Sequence, residues 1–338
     1  MKREQDKIVN MNWDIEIEIV NQAIFSLKSL LDTEDVRIDK VKNDSYDFDL
    51  TLFGQKFICE VKSNITRSNF GLVLYQLQKL QKEYDDPILL VAKSIAVNLV
   101  HEFRQNNINT LDISGNSSII HDLLRIVIKG QKVVSQSTEL TKPSRLFKDA
   151  GLRLLFGFLT KPDLINLTYR EMQNDVNLSL GAIKNVLEEM SENGFLIKNG
   201  NKRILKRKQE LMERWVTSYN ETLKPKLFLK RMSFKTDVSW KEISLPDDTY
   251  WGGEPASNLI DGFLIPEDFI LYTNQKIGQL ARVGLRPDEN GSVYVYEKFW
   301  KSECSDSIVP KLLVYADLMG SGNGRNIEVA QRIFENGI

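Results

Sequence analysis

Three charged residues of one short hairpin have the types and the spacing that metal-assisted chemistry needs. The segment DFDLTLFGQKFICEVKS places Asp49, Glu60 and Lys62 among alternating apolar residues, and alternation on a strand puts these polar side chains on one face. A two-residue turn at Gly54-Gln55 pairs Asp49 with Glu60. The same register places Asp47 opposite Lys62. Carboxylates are oxygen ligands that Mg²⁺ prefers, and a lysine supplies positive charge beside developing negative charge. A solvated strand face is the alternative interpretation.

This hairpin resembles the core of the PD-(D/E)xK nucleases, in which an acid is followed by Glu-x-Lys. The resemblance implies that Asp49 and Glu60 hold a divalent metal such as Mg²⁺, and that Lys62 positions the attacking water. A third metal ligand is not evident in the sequence. Glu16 or Glu18 of the preceding helix serves only if that helix turns inward.

The elements around the hairpin have the order of a restriction-endonuclease-like core. Apolar residues recur at helical spacing before residue 31, and a strand over 36–41 precedes the hairpin. Downstream, the patterns predict a helix over 70–84, a strand over 88–92, a helix over 95–106 and a strand over 108–114. We therefore predict a restriction-endonuclease-like domain over residues 1–130. Whether it is an active enzyme is left open, because a fold does not fix its function.

Positive charge is concentrated in the middle of the chain. Residues 142–208 carry 13 Lys and Arg against 7 Asp and Glu, whereas the segments on either side are mildly acidic and the whole chain has a net charge of −1. Local charge guides a polyanion more than total charge does. The polar stretch 131–144 is typical of a linker, so we expect a separate domain over 145–208.

The pattern of this basic segment is that of a winged helix-turn-helix. A helix from residue 145 stops at Lys161-Pro162, Thr168 and Ser179 cap two further helices, and a hairpin follows about Asn199-Gly200. In such a domain the third helix enters the major groove of double-stranded DNA, and the wing contacts phosphates. The alternative is a scaffold that contacts only proteins.

The predicted DNA contacts lie on these elements, and they require no cofactor. The residues that we expect to contact DNA are Tyr169, Arg170, Ser179, Ala182, Lys184, Asn185, Lys198, Lys202 and Arg203.

The sequence pattern over residues 209–338 predicts a mixed α/β domain, with a helix that ends at Pro225 and another that opens at Trp251-Gly252-Gly253-Glu254. The order of motifs along the whole chain resembles the AbiEi-family antitoxins. The most specific motif residues are Trp251, Gly252, Gly253, Glu254, Tyr315, Asp317, Arg325 and Glu328. A pairing of Arg325 with Glu328 one helical turn away is the simplest structural role for that arginine.

The resemblance implies a multidomain α/β transcriptional repressor and antitoxin of a type IV toxin–antitoxin (abortive infection) system. Such a protein represses its own promoter and antagonises a nucleotidyltransferase toxin without an obligatory stable complex. Two other functions remain open: a Mg²⁺-dependent DNA endonuclease that the winged helix targets, and a DNA-binding adaptor. The sequence does not indicate the oligomeric state.

Composition predicts an ordinary soluble protein in a reducing cytoplasm. The first residues, MKREQDKIVN, are too polar for a signal peptide, and no apolar run approaches the length of a membrane span. Cys59 and Cys304 are the only cysteines and lie far apart, which gives no sign of a disulfide framework or a zinc site.

Overall fold

The chain divides into two compact units, residues 1–140 (the first unit) and 141–338 (the second unit). This is a computed structural model, and it describes residues 2–40, 45–122, 124–131, 145–200, 202–235, 239–301, 304 and 307–337. The predicted linker lies outside the described residues apart from Gln131. The architecture is mixed α/β with several sheets, which confirms the coarse fold prediction. The restriction-endonuclease-like and winged-helix assignments stay predictions.

The first unit is a seven-stranded sheet with helices on both faces. Its strands lie in chain order, with β3, β4 and β5 parallel and the other neighbours antiparallel. Its elements are α1 (Lys2–Leu31), β1 (Val36–Lys40), β2 (Phe48–Leu52), β3 (Gln55–Ile65), α2 (Arg67–Glu83), β4 (Ile88–Ile95), α3 (Val97–Gln105), β5 (Asn109–Asp112), β6 (Ser117–His121) and β7 (Leu124–Ile128). The sequence predicted the order up to β5 but not the hairpin β6–β7.

Two apolar layers hold this sheet. One lies between the sheet and α1, where Leu27, Leu50 and Phe57 are fully buried. The other lies under α2 and α3, where Leu77 and Phe103 are fully buried. The near-continuous apolar run of β4 follows from this, because a parallel strand covered on both faces exposes neither of its side-chain rows.

The register of the β2–β3 hairpin differs from the predicted one by two residues. Leu52 pairs with Gln55, so the turn residues are Phe53 and Gly54, and Asp49 lies opposite Ile58 rather than Glu60. Phe53 and Gly54 both have positive φ, at 48° and 77°, as a type I′ turn requires. Glycine is favoured at the second central position of that turn, which explains why the turn begins one residue earlier than predicted. The predicted faces are nevertheless correct, since a shift of two residues preserves them.

The second unit begins with a small helical bundle and a two-stranded hairpin. Its elements are α4 (Asp149–Thr160), a 3-10 turn (Pro162–Asn166), α5 (Tyr169–Val176), α6 (Leu180–Glu192), β8 (Leu196–Asn199) and β9 (Lys202–Leu205). The predicted caps are present: the Thr168 hydroxyl accepts from the Glu171 N–H, and the Ser179 hydroxyl accepts from the Ala182 N–H. Asn199 pairs with Lys202, so the turn starts at Gly200 rather than at Asn199.

The remainder of the second unit is a five-stranded sheet packed with helices. The strand order is β11-β12-β14-β10-β13, and β12 and β14 are parallel. The elements are α7 (Lys208–Ser218), a π-helical turn (Tyr219–Leu223), α8 (Lys224–Leu227), β10 (Phe228–Phe234), β11 (Thr249–Gly252), α9 (Gly253–Asp261), β12 (Phe269–Thr273), α10 (Ile277–Arg282), β13 (Leu285–Pro287), β14 (Val293–Glu297), α11 (Lys311–Gly320) and α12 (Gly324–Glu335).

Two predicted helix boundaries in this part are wrong. Pro225 does not end a helix but lies within α8, which continues directly from the π-helical turn to Leu227. Trp251 and Gly252 belong to β11, so α9 opens only at Gly253. The antiparallel pairing of Trp251 with Leu271 fixes the strand, and this long-range contact is invisible to local patterns.

Candidate functional site

The acidic cluster of the first unit gathers a different pair of acids from the predicted one. Asp47 lies one residue before β2 and beside Glu60, and its Oδ2 accepts the Val61 N–H at 2.7 Å. Burial, together with the negative charges of Glu60 and Glu16, raises the pKa of Asp47 to about 7. Lys62 donates to the Glu60 carboxylate at 2.5 Å. Asp47, Glu60, Lys62 and Glu16 therefore form this cluster.

Asp49, the predicted metal ligand, points elsewhere on the same face. Its Oδ1 accepts from the Tyr46 hydroxyl at 3.2 Å and pairs with the Lys56 ammonium at 3.2 Å. The register of the hairpin explains the correction, because Asp49 lies two residues away from the position opposite Glu60. No group of three or more His, Cys, Asp or Glu side chains is arranged to hold a metal ion within the part of the chain that the structure describes.

The predicted DNA-contact residues divide into exposed and engaged side chains. Arg170, Asn185, Lys198 and Lys202 are exposed, and Lys184 is exposed but pairs with Glu188 at 3.7 Å. Ser179 uses its hydroxyl as a helix cap for Ala182. The exposed lysines of β8 and β9 put positive charge on the hairpin, and α6 offers its first turns to solvent.

Arg203 and Tyr169 make contacts within the protein, and their predicted contacts with DNA stay predictions. The Arg203 guanidinium donates to the carbonyls of Ile165 and Leu167 at 2.9 and 3.0 Å, and its centre lies 5.3 Å from the Tyr169 ring centroid. The Arg203 N–H also donates to the Asn166 side chain at 2.7 Å. Arg203 thus ties β9 to the loop before α5, a contact between distant segments that no spacing in the sequence signals.

The motif acid Glu254 is the centre of a buried polar network at the start of α9. Its side chain accepts from the N–H groups of Glu267 and Asp268 at 2.6 and 3.3 Å, and from the Asn326 amide at 2.8 Å. Arg325 lies 3.5 Å from the same carboxylate. Glu254 therefore joins the loop before β12 to the first turn of α12.

Arg325 does not form the predicted pair with Glu328. Its guanidinium contacts Glu267 at 3.1 Å as well as Glu254, and Glu328 is exposed. The reason is geometric: Arg325 lies in the first turn of α12, whose capping residue is Asn323, and this turn faces the loop before β12. Sequence reasoning missed Asn326, which lies beside a motif residue but has no distinctive spacing.

Asp317 is the centre of a second buried network, under the two motif glycines. Its carboxylate accepts from the Lys224 ammonium at 2.7 Å and from the Tyr272 hydroxyl at 2.8 Å, and the hydroxyls of Tyr272 and Tyr219 are 2.6 Å apart. Burial raises the pKa of the Asp317 carboxyl, while the Lys224 ammonium lowers it. Lys224, Tyr272 and Tyr219 were not predicted, because each lies far from Asp317 in the sequence.

The glycines of the motif are required by close packing. A Cβ at Gly252 would lie 2.7 Å from the Tyr272 ring and 2.8 Å from Asp317 Oδ2. Gly253 has φ of +50°, which disfavours other residues, and a Cβ there would lie 2.9 Å from Ile270. Trp251 packs between Trp240 and Phe269. These contacts indicate a packed strand-to-helix junction rather than a phosphate-binding loop.

Residues 203–338 match a family model. Its description is transcriptional regulator, AbiEi antitoxin, type IV TA system. The match covers less than half of the chain. No curated protein and no solved structure matches the chain.

The AbiEi-matched segment contains both buried networks. All eight predicted antitoxin-motif residues fall inside it, whereas the acidic cluster of the first unit lies outside. Of the predicted DNA contacts, only Arg203 falls inside the match. The similarity thus supports the antitoxin and regulator assignment for the C-terminal part of the second unit.

Two further observations concern membranes and thiols. No helix in the described ranges is both long and apolar enough to cross a bilayer. Cys59 is fully buried in β3 and Cys304 is half-buried, and neither is part of a disulfide. Burial raises the pKa of both thiols.

Proposed function

We propose that the chain is a DNA-binding transcriptional repressor and antitoxin of a type IV toxin–antitoxin system. The observation that carries this proposal is the AbiEi match over residues 203–338, which begins in β9, inside the basic helix-and-hairpin segment. Both lie in one compact unit. A regulator of this class needs a DNA-reading surface and an effector part, and the second unit offers a candidate for each.

The DNA-reading surface that we propose is the face formed by α6 and the β8–β9 hairpin. The first turns of α6 suit insertion in the major groove, where Lys184 and Asn185 reach base edges. Lys198 and Lys202 contact the flanking phosphates. The net charge of +6 over residues 142–208 supports this orientation. Arg203 positions the hairpin and is not assigned a phosphate contact.

The effector part that we propose is the AbiEi-matched segment after the hairpin, residues 209–338. Its functional partner is a nucleotidyltransferase toxin, which it antagonises without an obligatory stable complex. The chain represses its own promoter in the cytoplasm. The alternative is a DNA-binding adaptor whose other domains bind only proteins. Such an adaptor is not expected to protect cells from the toxin.

The proposal is tested with the full chain in a two-part cell assay. A reporter measures expression from the chain's own promoter, and an inducible nucleotidyltransferase gene from the same locus measures protection. We expect repression of the reporter and growth in the presence of the toxin. A chain that binds the promoter but gives no protection supports the adaptor instead, and a chain that does neither contradicts the proposal.

A second candidate function is a Mg²⁺-dependent DNA endonuclease in the first unit. The observation that favours it is the acidic cluster, in which burial and the neighbouring carboxylates of Glu60 and Glu16 raise the pKa of Asp47 even though Lys62 pairs with Glu60. Asp47 and Glu60 would hold the ion, in place of the predicted Asp49. The ion would supply the activation of a water molecule, and Lys62 would place positive charge beside it.

Incubation of the full chain with supercoiled DNA and Mg²⁺ or Mn²⁺ tests this second function. Nicking that Glu60→Ala abolishes and Asp49→Ala preserves would establish the nuclease at the corrected site. Equal loss in both variants would favour the predicted pair, and the absence of any nicking would leave the first unit without this activity.

A further inference from the structure

The first unit contains a cavity of about 190 Å³ that is distinct from the acidic cluster. It lies between α3 and the ends of β5, β6 and β7. One stripe of α3 forms a wall, since Val97, Val100, His101 and Arg104 recur at helical spacing and all line the cavity. Ile95 and Ile128 add apolar surface.

The floor of this cavity carries buried hydroxyl groups. Thr110 and Ser118 are neighbours across β5 and β6, and they are only 1% and 3% exposed. The Ser118 hydroxyl has no hydrogen-bond partner among the residues that the structure describes, and neither has that of Ser117. A buried hydroxyl without a partner is unfavourable, so the floor is suited to a ligand that brings a polar atom.

The rim of the cavity carries positive charge. Arg104 and Lys129 line it, and neither forms an ion pair within the described ranges. An Arg104 Nη lies 2.9 Å from His101 Nδ1. The acid at the rim, Asp112, already accepts three hydrogen bonds, from the N–H groups of Ser114 and Asn116 and from the Asn116 side chain. The cations are therefore the groups that remain for a ligand.

The volume limits what fits. Cavities that bind drug-sized ligands are about 300–1,000 Å³, so this one suits a smaller molecule. Apolar walls and cations at the rim together favour an organic anion with a compact apolar body, and the floor hydroxyls favour a hydrogen-bonding substituent on that body. We propose that this cavity binds a small aromatic or aliphatic carboxylate, with its carboxylate at Arg104 and Lys129 and its body against Val100 and Ile128.

Sodium benzoate is the probe, and benzamide is its neutral match in shape. Saturation-transfer NMR and calorimetry on the full chain measure the affinity for both. We expect saturable benzoate binding and at least about tenfold weaker benzamide binding, because a charge-assisted hydrogen bond contributes more than a neutral one. The double variant Arg104→Gln/Lys129→Gln should lose about tenfold or more in benzoate affinity.

Two controls separate this site from general effects. Arg125→Gln removes an exposed cation from β7 without touching the cavity and should leave benzoate affinity unchanged. Ser118→Val fills the floor and should weaken both probes. Any of three results would overturn the proposal. They are equal affinity for benzoate and benzamide, no saturable binding of either, and a benzoate affinity that neither the double variant nor Ser118→Val changes.

Discussion

Asp47 is a residue whose local environment strongly changes its acidity. Its carboxyl is half-buried, beside Glu60, and its pKa is raised to about 7 from the ordinary aspartate value of 3.8. The folded protein therefore holds a proton on Asp47 more tightly than the unfolded chain does. The associated stability is fully present below about pH 4 and is lost as the pH rises through about 7.

Asp47→Asn should remove this pH dependence. The variant is expected to be more stable than the wild type by about 1–2 kcal/mol at pH 8, and nearly equal at pH 4, because each displaced pKa unit is worth about 1.4 kcal/mol and water screens part of it. Labelling of the buried Cys59 thiol in increasing urea reports unfolding of the first unit. Asp49→Asn removes a carboxylate from the same hairpin and is the control. An increase in stability of Asp47→Asn at pH 8 that is no larger than the increase for Asp49→Asn would contradict the raised pKa of Asp47.

Gly252 is expected to tolerate no side chain. Gly252→Ala places a methyl group 2.7 Å from the Tyr272 ring and 2.8 Å from Asp317, and such overpacking costs about 1–3 kcal/mol. Thermal unfolding of the full chain measures the loss. Gly278→Ala is the matched control, since its Cβ meets no atom within 4 Å and alanine favours the helix. Equal melting temperatures for the two variants would show that the strand-to-helix junction accommodates the added methyl group without loss of stability.

At this scale the sequence predicts faces better than partners. The alternation of residues correctly predicted that Asp49 and Glu60 lie on one face of the hairpin. The register, however, depends on the turn type, and the observed turn places Asp47 rather than Asp49 beside Glu60. The partners of Asp317 lie far away in the chain, so no local pattern connects them with it. Buried polar networks join residues from several elements, so they are identified from the three-dimensional structure and not from the sequence.

At the scale of elements, the β8–β9 hairpin is the first surface to test. Lys198→Gln/Lys202→Gln should weaken DNA binding at all sequences and reduce the slope of log affinity against log salt by about 2, because about 0.9 counterions are released for each phosphate contact. Fluorescence anisotropy with promoter DNA at several salt concentrations measures this. Lys226→Gln/Lys230→Gln removes the same charge from exposed positions outside the predicted surface. A slope that changes equally in both pairs would exclude the hairpin from the interface.

The junction of α9 and α12 is the second element-scale test. Arg325→Gln breaks the contacts with Glu254 and Glu267, and we expect weaker protection from the toxin with promoter binding unchanged. Arg332→Gln lies on the same helix and loses a 3.9 Å contact with Asp261 and the packing of the guanidinium on the Phe263 ring, neither of which involves Glu254 or Glu267, and it should protect normally. Circular dichroism establishes that both variants fold. Unchanged protection by Arg325→Gln would assign that arginine a purely structural role.

Elements with local signals were predicted well and those fixed by pairing were not. The caps at Thr168 and Ser179 are set by side chains three residues from their partners, so the sequence reveals them. The strand that contains Trp251 is held by a partner strand distant in sequence, whereas β6 and β7 pair locally but are only five residues each. Their short length leaves too few residues for periodicity to indicate a strand.

At the scale of the whole molecule, the second unit is continuous across the predicted boundary at residues 208 and 209. Phe156 stacks on Trp215, which stacks on Tyr219, and the Trp215 indole N–H donates to the Leu152 carbonyl at 2.8 Å. Tyr219 then reaches the Asp317 network through Tyr272. The helical bundle that carries the proposed DNA-reading surface and the AbiEi-matched segment therefore share one buried aromatic core.

Trp215→Phe should damage both activities together. It removes the indole hydrogen bond to the Leu152 carbonyl, which costs about 0.5–1.5 kcal/mol, and it loosens the packing on Phe156. We expect promoter repression and toxin protection to decline in parallel as the temperature is raised. Trp240→Phe removes a partly exposed indole from the sheet cover and is the control. Loss of one activity without the other would contradict a shared core.

The state of the two thiols makes the chain suited to selective chemical labelling. A thiolate is the nucleophile toward maleimides; burial raises the pKa of both Cys59 and Cys304, and Cys59 is in addition fully buried. A cysteine introduced at the exposed Lys198 should therefore react first under brief treatment at neutral pH. A dye placed there would report the approach of DNA to the hairpin in real time, with both native cysteines left in the chain.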